Sequence, residues 1–331
     1  MSQLEARESV ETTSRWKPYP TYKDTGIGWL GEIPEHWILT PIRSFARRGF
    51  KTFTDGDWIE SPFIRESGIR LIQTGNIGVG AYKETGFRYI DEETFIKFRC
   101  TEVFPNDILI CRLADPVGRA CLAPNMGVRM ITSVDVCILK PRDDIDARFV
   151  VYTLSSEGYL SWMNAMCRGG TRDRISRSML GAVPIQTPSL KEQRTIATFL
   201  DRETSRIETL IAKKQRQVEL LQEKRTALIS HAVTKGLNPG AKMKDSGIEW
   251  LGEIPEHWGV NRSKVLFQEV HERSKAGEEE LLSVSHITGV SRRSEKNVYM
   301  FMAESLEGYK KCNQGDLVIN TMWAWMGALG I

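Results

Sequence analysis

The chain contains no run approaching the roughly 18 consecutive apolar residues that a membrane-crossing helix needs. Its first fifteen residues, MSQLEARESVETTSR, are polar and acidic where a secretory leader requires a basic flank and an apolar stretch. These absences predict a cytoplasmic protein. The six cysteines (Cys100, Cys111, Cys121, Cys137, Cys167 and Cys312) include no Cys-x-x-Cys pair and no adjoining histidine cluster. That argues against a zinc centre and against a disulfide framework, and leaves them as reduced small hydrophobes. None of the eighteen lysines has an acid two residues before it, as common metal-dependent nucleases require, and the dipeptide Gly-Lys of a phosphate-cradling loop never occurs. Asn238-Pro239-Gly240 and Asp115-Pro116-Val117 do not match the Asn-Pro-Pro-Tyr or Asp-Pro-Pro-Tyr type motif of an adenine methyltransferase. The expectation is a non-catalytic chain without metal or cofactor.

Present instead are 331 residues, 41% hydrophobic and 26% charged, enough for two ordinary globular domains. A net charge of +3 is too small to diagnose nucleic-acid binding by itself, so the placement of charge carries more information than its sum.

The clearest internal signal is a repeat. KDTGIGWLGEIPEHW runs from Lys23 to Trp37, and KDSGIEWLGEIPEHW runs from Lys244 to Trp258, 221 positions later, with only Thr25/Ser246 and Gly28/Glu249 differing. Solenoid units run to roughly 20 to 50 residues, so this separation signals a duplicated domain. Weaker echoes pair Leu71-Ile-Gln-Thr-Gly-Asn-Ile-Gly with Leu281-Leu-Ser-Val-Ser-His-Ile-Thr-Gly. Asn106-Asp-Ile-Leu-Ile-Cys is likewise echoed in Gly315-Asp-Leu-Val-Ile-Asn, at an offset of 209. Aligning Gly118 with Gly327 brings Ile331 to about position 122 of the first copy, so the second copy is expected to be incomplete. The interior of the first unit reads as mixed α and β, with short strands around Leu71, Ile108–Cys111 and Val134–Leu139.

Between the copies the sequence changes character. Pro184 to Pro188 closes the first unit, and Ser189-Leu-Lys-Glu192 forms a capping box, in which the Ser oxygen and the Glu carboxylate satisfy backbone N–H groups at a helix start. No Pro or Gly follows until Gly236, which predicts one helix of about 46 residues, roughly 69 Å long. Alternating steps of four and three give Ile207, Ile211, Lys214, Val218, Leu221, Arg225, Leu228 and Ala232, a heptad pattern with six apolar members. A helix this long exceeds the diameter of a domain of about 160 residues, so part of it needs a partner elsewhere. A second copy of itself is the natural one. Ile207, Ile211, Val218, Leu221 and Leu228 are the expected packing residues. The segments are therefore 1–21, a flexible start; 22–189, a globular domain; 190–236, the long helix; and 237–331, the beginning of a second domain.

The twice-written K-D-[ST]-G-I-x-W-L-G-E-I-P-E-H-W segment, Gly170-Thr-Arg to Leu180, and Leu190-Lys-Glu-Gln-Arg-Thr-Ile-Ala-Thr-Phe-Leu-Asp-Arg-Glu203 resemble the specificity (S) subunits of type I restriction-modification systems. The likeness covers nearly all of the chain after about Tyr22. It implies two target recognition domains, each reading one half of a bipartite double-stranded DNA site, separated by two long antiparallel helices that set the spacer. It further implies docking of methyltransferase (M) subunits and restriction (R) subunits, to which the catalysis belongs. Under that likeness the repeated segment is the frame that places each recognition domain. His36 and His257 are then structural, because a duplicated histidine with no accompanying nucleophile is a poor catalyst.

Four sets of residues are candidates for DNA contact. Arg168, Arg172, Arg174 and Arg177 lie in AMCRGGTRDRISRS against a single Asp173, and guanidinium forks suit both phosphate oxygens and the guanine O6/N7 edge. The alternative is a solvated basic loop, or a surface for the methyltransferase. Arg70, Gln73, Thr74 and Asn76 could present adenine-reading amides from a Gly-flanked turn, or be capped polar groups of a strand-turn. Arg43, Arg47, Arg48 and Lys51 form a basic run better suited to phosphates than to bases. In the second unit Ser285, His286, Arg292, Arg293 and Trp323 to Trp325 are weaker candidates. Two rival readings stay open: a half-subunit that dimerises through its helix to read a palindrome, and a coiled-coil interaction protein that does not touch DNA.

Overall fold

In the computed structural model the described residues are 17–167, 173–296 and 305–331. The chain divides into two compact units, 1–217 and 218–331, and the division falls inside one long helix.

The first unit begins with β1 (Tyr22–Asp24) and β2 (Glu32–Pro34), which pair antiparallel with Lys23 opposite Ile33. The turn between them needs left-handed backbone at Gly26 and Gly31, with φ of 66° and 63°, which explains glycine at both places. The strands β3 (Ile38–Pro41), β4 (Phe53–Asp55), β5 (Ile69–Ile72) and β6 (Tyr89–Ile90) follow, then the short helix α1 (Glu92–Phe98). After these come β7 (Ile108–Cys111), β8 (Ala120–Leu122), β9 (Met130–Thr132) and β10 (Val136–Leu139). The helices α2 (Ala147–Leu154), α3 (Glu157–Met166) and α4 (Arg177–Ala182) precede β11 (Pro184–Thr187) and the long helix α5 (Leu190–Lys235).

The central sheet is antiparallel in the order β4-β10-β7-β8, and a mixed sheet β6-β5-β9 contains one parallel pair, β5 with β9. The run Ile108-Leu-Ile-Cys111 is apolar throughout because both faces of its sheet are covered, which period-two geometry separates cleanly. Ile108 and Ile110 face a cluster with Cys137, Leu139, Phe149, Leu154, Tyr159 and Met163, while Leu109 and Cys111 face Ile72, Ile77, Met130 and Ile138. The thiols are free and four of the six are buried. Burial pushes Cys121 and Cys137 up to about 12, so they behave as the inert small hydrophobes the composition suggested.

The helix α5 spans 46 residues, with the predicted capping box in place. Ser189 N–H donates to Glu192 Oε2 at 3.2 Å and Glu192 N–H donates to Ser189 Oγ at 3.4 Å. The other carboxylate oxygen of Glu192 reaches the first hairpin: His36 Nε2 lies 2.8 Å away, Trp37 Nε1 donates at 3.3 Å and the Tyr19 hydroxyl at 3.4 Å. His36 thus serves as a structural partner of a helix start. Burial alone would raise the pKa of Glu192, but the hydrogen bonds from His36, Ser189 and Trp37 outweigh it and hold the carboxyl at about 2. The next turns of α5 are fastened by Gln193, whose Nε2 donates to Pro188 O, and by Asp201, which accepts from Arg148 at 2.6 Å and from Tyr152 at 2.7 Å. Gln193 and Ala197 are its only buried residues among those described.

In the second unit, β12 (Met243–Asp245) and β13 (Glu253–Pro255) reproduce the first hairpin with Lys244 opposite Ile254, and Gly247 and Gly252 take φ of 72° and 62°. The short helix α6 (Ser263–Leu266) leads to β14 (Leu282–Ser285), β15 (Gly289–Arg292), β16 (Val318–Ile319) and β17 (Leu329–Gly330). The pairing Ile319 with Leu329 is that of Ile110 with Ala120 carried 209 positions along. In both units an aspartate precedes the strand and accepts from a backbone N–H three residues earlier, Asp107 from Phe104 at 2.9 Å and Asp316 from Asn313 at 2.7 Å. The echo at Leu281 is looser: β14 pairs with its neighbour β15 as a hairpin, whereas β5 lies between β6 and β9.

Candidate nucleic-acid interface

Of the four arginines in the predicted basic segment, Arg174 and Arg177 are described, while Arg168 and Arg172 lie outside the described residues. The backbone of 173–175 is laid against the end of β7. Ala114 N–H donates to Asp173 O at 3.0 Å, Ile175 N–H donates to Arg112 O at 3.0 Å, and Leu113 bridges Arg174. Ile175 anchors this stretch in the core while Arg174 and Arg177 stay roughly half exposed. Arg177 occupies the first turn of α4, where the helix dipole disfavours a cation. Asp55, 3.7 Å from its guanidinium, offsets that, and Asp135 sits 2.8 Å from Arg174.

The reading of Arg70 and Asn76 as base contacts is corrected by the structure. Arg70 is 1% exposed, and its guanidinium donates to the carbonyls of Gly86, Arg88 and Thr85, each at 3.1 Å, under the rings of Phe87 and Tyr89. Asn76 is 2% exposed; its Oδ1 accepts from Gln73 N–H and its Nδ2 donates to the carbonyls of Lys83 and Thr85. Both side chains are spent on closing the 82–89 loop, because buried backbone carbonyls left unpaired would be costly. Gln73 and Thr74 remain at a partly open turn.

That turn is joined to the arginine segment by a residue the sequence did not single out. Arg119, 8% exposed, donates through Nε to Ile77 O at 2.7 Å and through Nη2 to Thr74 O at 2.9 Å. Its Nη1 reaches Leu113 O at 2.8 Å and Pro116 O at 2.9 Å. Arg119 thereby ties 73–77 to 113–117, and the backbone pairing of Leu113 and Ala114 with 173–174 carries the link on to the arginine segment. Arg112 was missed for the same reason: a single arginine closing an apolar run carries no spacing signal, and its burial between two aspartates is visible only in three dimensions.

Arg43 comes to the same neighbourhood. It lies in the 3-10 turn Ile42–Phe45, on which α4 packs, and the Ile42 N–H donates to Val183 O at 2.9 Å. Arg43, Arg47 and Arg48 are exposed, and neither Arg43 nor Arg48 has an ion-pair partner among the described residues. Arg47 instead lines a cavity of about 370 Å³ with Phe104, Asn106 and Asp107. Lys51 donates to Arg99 O at 2.8 Å, which occupies its ammonium. In the second unit Arg292 is paired with Glu280 at 3.3 Å, Ser285 accepts from Lys296, and Trp323 stacks on Trp325 at 6.4 Å between ring centroids. The stripe on α5 is open: Ile207, Ile211, Val218, Leu221 and Leu228 are each between 46% and 65% exposed.

The exposed set, Arg43, Arg174 and Arg177 with Gln73 and Thr74, combines forked cations and short amides or hydroxyls, the donor chemistry that suits phosphates and base edges. Among the described residues no group of three His, Cys, Asp or Glu is placed to hold a metal ion, and no helix is long and apolar enough to cross a membrane.

Residues 60–220 match a family described as the type I restriction modification DNA specificity domain. A type I restriction enzyme MjaX specificity subunit of Methanocaldococcus jannaschii is 24% identical over 241 residues, covering 70% of this chain and 52% of the relative. The MjaVIII specificity subunit of the same organism is 27% identical over 214 residues, covering 62% and 47%. The EcoKI specificity subunit of Escherichia coli K12 is 21% identical over 232 residues, covering 69% and 47%. The chain spans about half the length of these curated relatives. The crystal structure of an HsdS subunit from Thermoanaerobacter tengcongensis aligns with a TM-score of 0.44 at 19% identity, covering 65% of this chain and 48% of that one.

Proposed function

We propose that this chain, whose residues 60–220 match the type I restriction modification DNA specificity domain, is the DNA-recognition subunit of such a complex. The match of that domain is the observation that carries the reading. In this proposal the globular unit of 22–189 reads one half of a bipartite duplex site. The exposed Arg43, Arg174 and Arg177 meet phosphates or guanine edges, and Gln73 and Thr74 are presented with them; Arg47 and Arg48 add to the basic character, while Arg168 and Arg172, outside the described residues, are kept from the sequence as further candidates for DNA contact. The helix of 190–236 is the spacer, and 237–331 begins a second recognition domain. M subunits carry methylation, R subunits carry cleavage, and this chain is non-catalytic and works in the cytoplasm.

The paired hairpins with identical register and the recurring β-pair at an offset of 209 support descent of the two units from one duplicated domain. A second reading, a dimer of half-subunits acting on a palindrome, is favoured by one observation: the α5 stripe of Ile207, Ile211, Val218, Leu221 and Leu228 is exposed along its length.

The test is a genome-wide N6-methyladenine map of the source strain with the gene present and deleted. Loss of one bipartite motif is the expected result, and loss of a palindromic motif favours the dimer. An unchanged map sinks the proposal.

A further inference from the structure

Beneath the exposed arginines lies an alternating ion chain that the DNA reading does not itself require. Arg112 is 3% exposed at the end of β7. Its Nε lies 3.0 Å from Asp55 Oδ1 and its Nη2 3.6 Å from Asp135 Oδ1. Its hydrogen bonds go to backbone: Nη1 donates to Ile175 O at 3.1 Å and Nη2 to Val134 O at 2.8 Å. Each aspartate is shared outward, Asp135 with Arg174 at 2.8 Å and Asp55 with Arg177 at 3.7 Å. The order is Arg174, Asp135, Arg112, Asp55, Arg177, with charge alternating and the middle member buried.

Three physical points give this chain a role. A buried cation is retained only where paired charges and hydrogen bonds offset its desolvation, and Arg112 has two carboxylates and two carbonyls. Its planar fork donates in fixed directions to the two carbonyls, which a lysine ammonium cannot do, while the two carboxylates meet it as close opposite charges without an aligned hydrogen bond. It also binds both the N–H and the C=O of Ile175, so it fixes the backbone of the very segment that carries Arg174 and Arg177. The two aspartates therefore stand in front of Arg112 at set positions and face the two exposed arginines from behind.

We propose that Arg112 is a positioning residue and that Asp55 and Asp135 are built-in counter-ions, which aim Arg174 and Arg177 and cancel part of their charge. The inference rests on the DNA-interface reading. It deepens that reading by assigning to two acidic side chains a restraint on non-specific binding. An arginine already paired with a carboxylate gains little by meeting a phosphate in any sequence. It contributes where the geometry of the site rewards its orientation, so charge cancellation lowers background affinity more than specific affinity.

The sign of one substitution separates this role from a merely structural one. Affinity of the full chain for a mixed-sequence duplex is measured by fluorescence anisotropy between 50 and 200 mM salt. For Asp135→Asn we expect a steeper salt dependence, by about 0.9 in the log–log slope for one freed cation, equal to an about 3.5-fold larger gain over that fourfold dilution. In the Arg174→Ala background the same substitution is expected to change nothing, because the cation it frees is gone. An unchanged or shallower slope for Asp135→Asn, while Arg174→Ala weakens binding, overturns the counter-ion role and leaves the interface standing. If Arg174→Ala and Arg177→Ala both leave affinity and slope untouched, the interface reading itself fails, and this inference with it. Asp55→Asn, which uncouples Arg177, carries the same test should Asp135→Asn melt below the assay temperature. Arg112→Lys checks the fork: it keeps the charge and is expected to lose specificity for the mapped methylation motif, and full specificity overturns the positioning role.

Discussion

Removing the Glu192 carboxylate should detach the start of α5 from the first hairpin, and the size of the effect follows from the geometry. One side-chain oxygen closes the capping box on Ser189, and the other meets His36, Trp37 and Tyr19. These contacts hold the carboxyl at about 2 against an ordinary value of 4.5, after overcoming a desolvation that pulls the other way. A gap of that size corresponds to about 3 kcal/mol at about 1.4 kcal/mol per pH unit. Solvent at a carboxylate 25% exposed reduces this to about 2 kcal/mol, and the capping bonds are part of that total. Because the folded pKa lies below the unfolded one, the contribution is present above pH 4.5 and is lost as pH falls towards 2. Glu192→Ala should therefore lower stability by about 2 kcal/mol near pH 6, a drop of about 4 to 8 °C in Tm for a unit of this size. Near pH 2 the difference should shrink below about 0.5 kcal/mol. Glu192→Gln keeps the shape and an acceptor oxygen but should show the same loss of acid dependence. Urea titrations followed by circular dichroism across that range provide the measurement. A difference that stays constant from pH 6 to pH 2, or a variant as stable as its parent at pH 6, refutes the account of Glu192 as an ionised tie.

Arg70→Ala should cost about 3 kcal/mol by leaving three loop carbonyls unpaired, while the sequence preference of any correctly folded fraction stays the same; urea midpoints and competition binding separate the two effects. Gly181→Ala puts a Cβ 2.6 Å from Phe53 Cε1 and 3.1 Å from Arg43 Cβ, so α4 must shift off the Ile42–Phe45 turn. A loss of about 1 to 3 kcal/mol, read as a lower Tm together with weaker DNA binding, is the expected outcome. Leu221→Asp with Leu228→Asp should leave the melting of the first unit within about 0.5 kcal/mol, since both side chains are exposed, yet abolish any self-association seen by sedimentation. Unaltered sedimentation of an associating parent would remove the stripe from the interface.

Local chemistry was enough for the elements whose signals are local. Ser189 and Glu192 marked a helix start, the absence of Pro and Gly up to Gly236 marked its length, and Ile108-Leu-Ile-Cys111 marked a buried strand. The doubled fifteen-residue segment was enough to predict a duplicated domain, whereas that each copy pairs as a hairpin in the same register is a finding of the structure, consistent with glycines and prolines that leave the backbone few alternatives. What a polar side chain faces is decided by the whole fold. Arg70 and Asn76 look like readers of bases as long as the 82–89 loop, which consumes their donors, is far away along the chain. Arg112 and Arg119 look like ordinary surface cations until pairing of β7 with β8 and β10 buries them among carbonyls and carboxylates, some as far as 63 positions distant. Periodicity and capping report on neighbours within a few residues, and desolvation reports on neighbours in space. The sequence alone therefore determined the frame, the duplicated segment and the long helix, while only the tertiary structure decided which arginines bind the protein to itself and which remain free to bind something else.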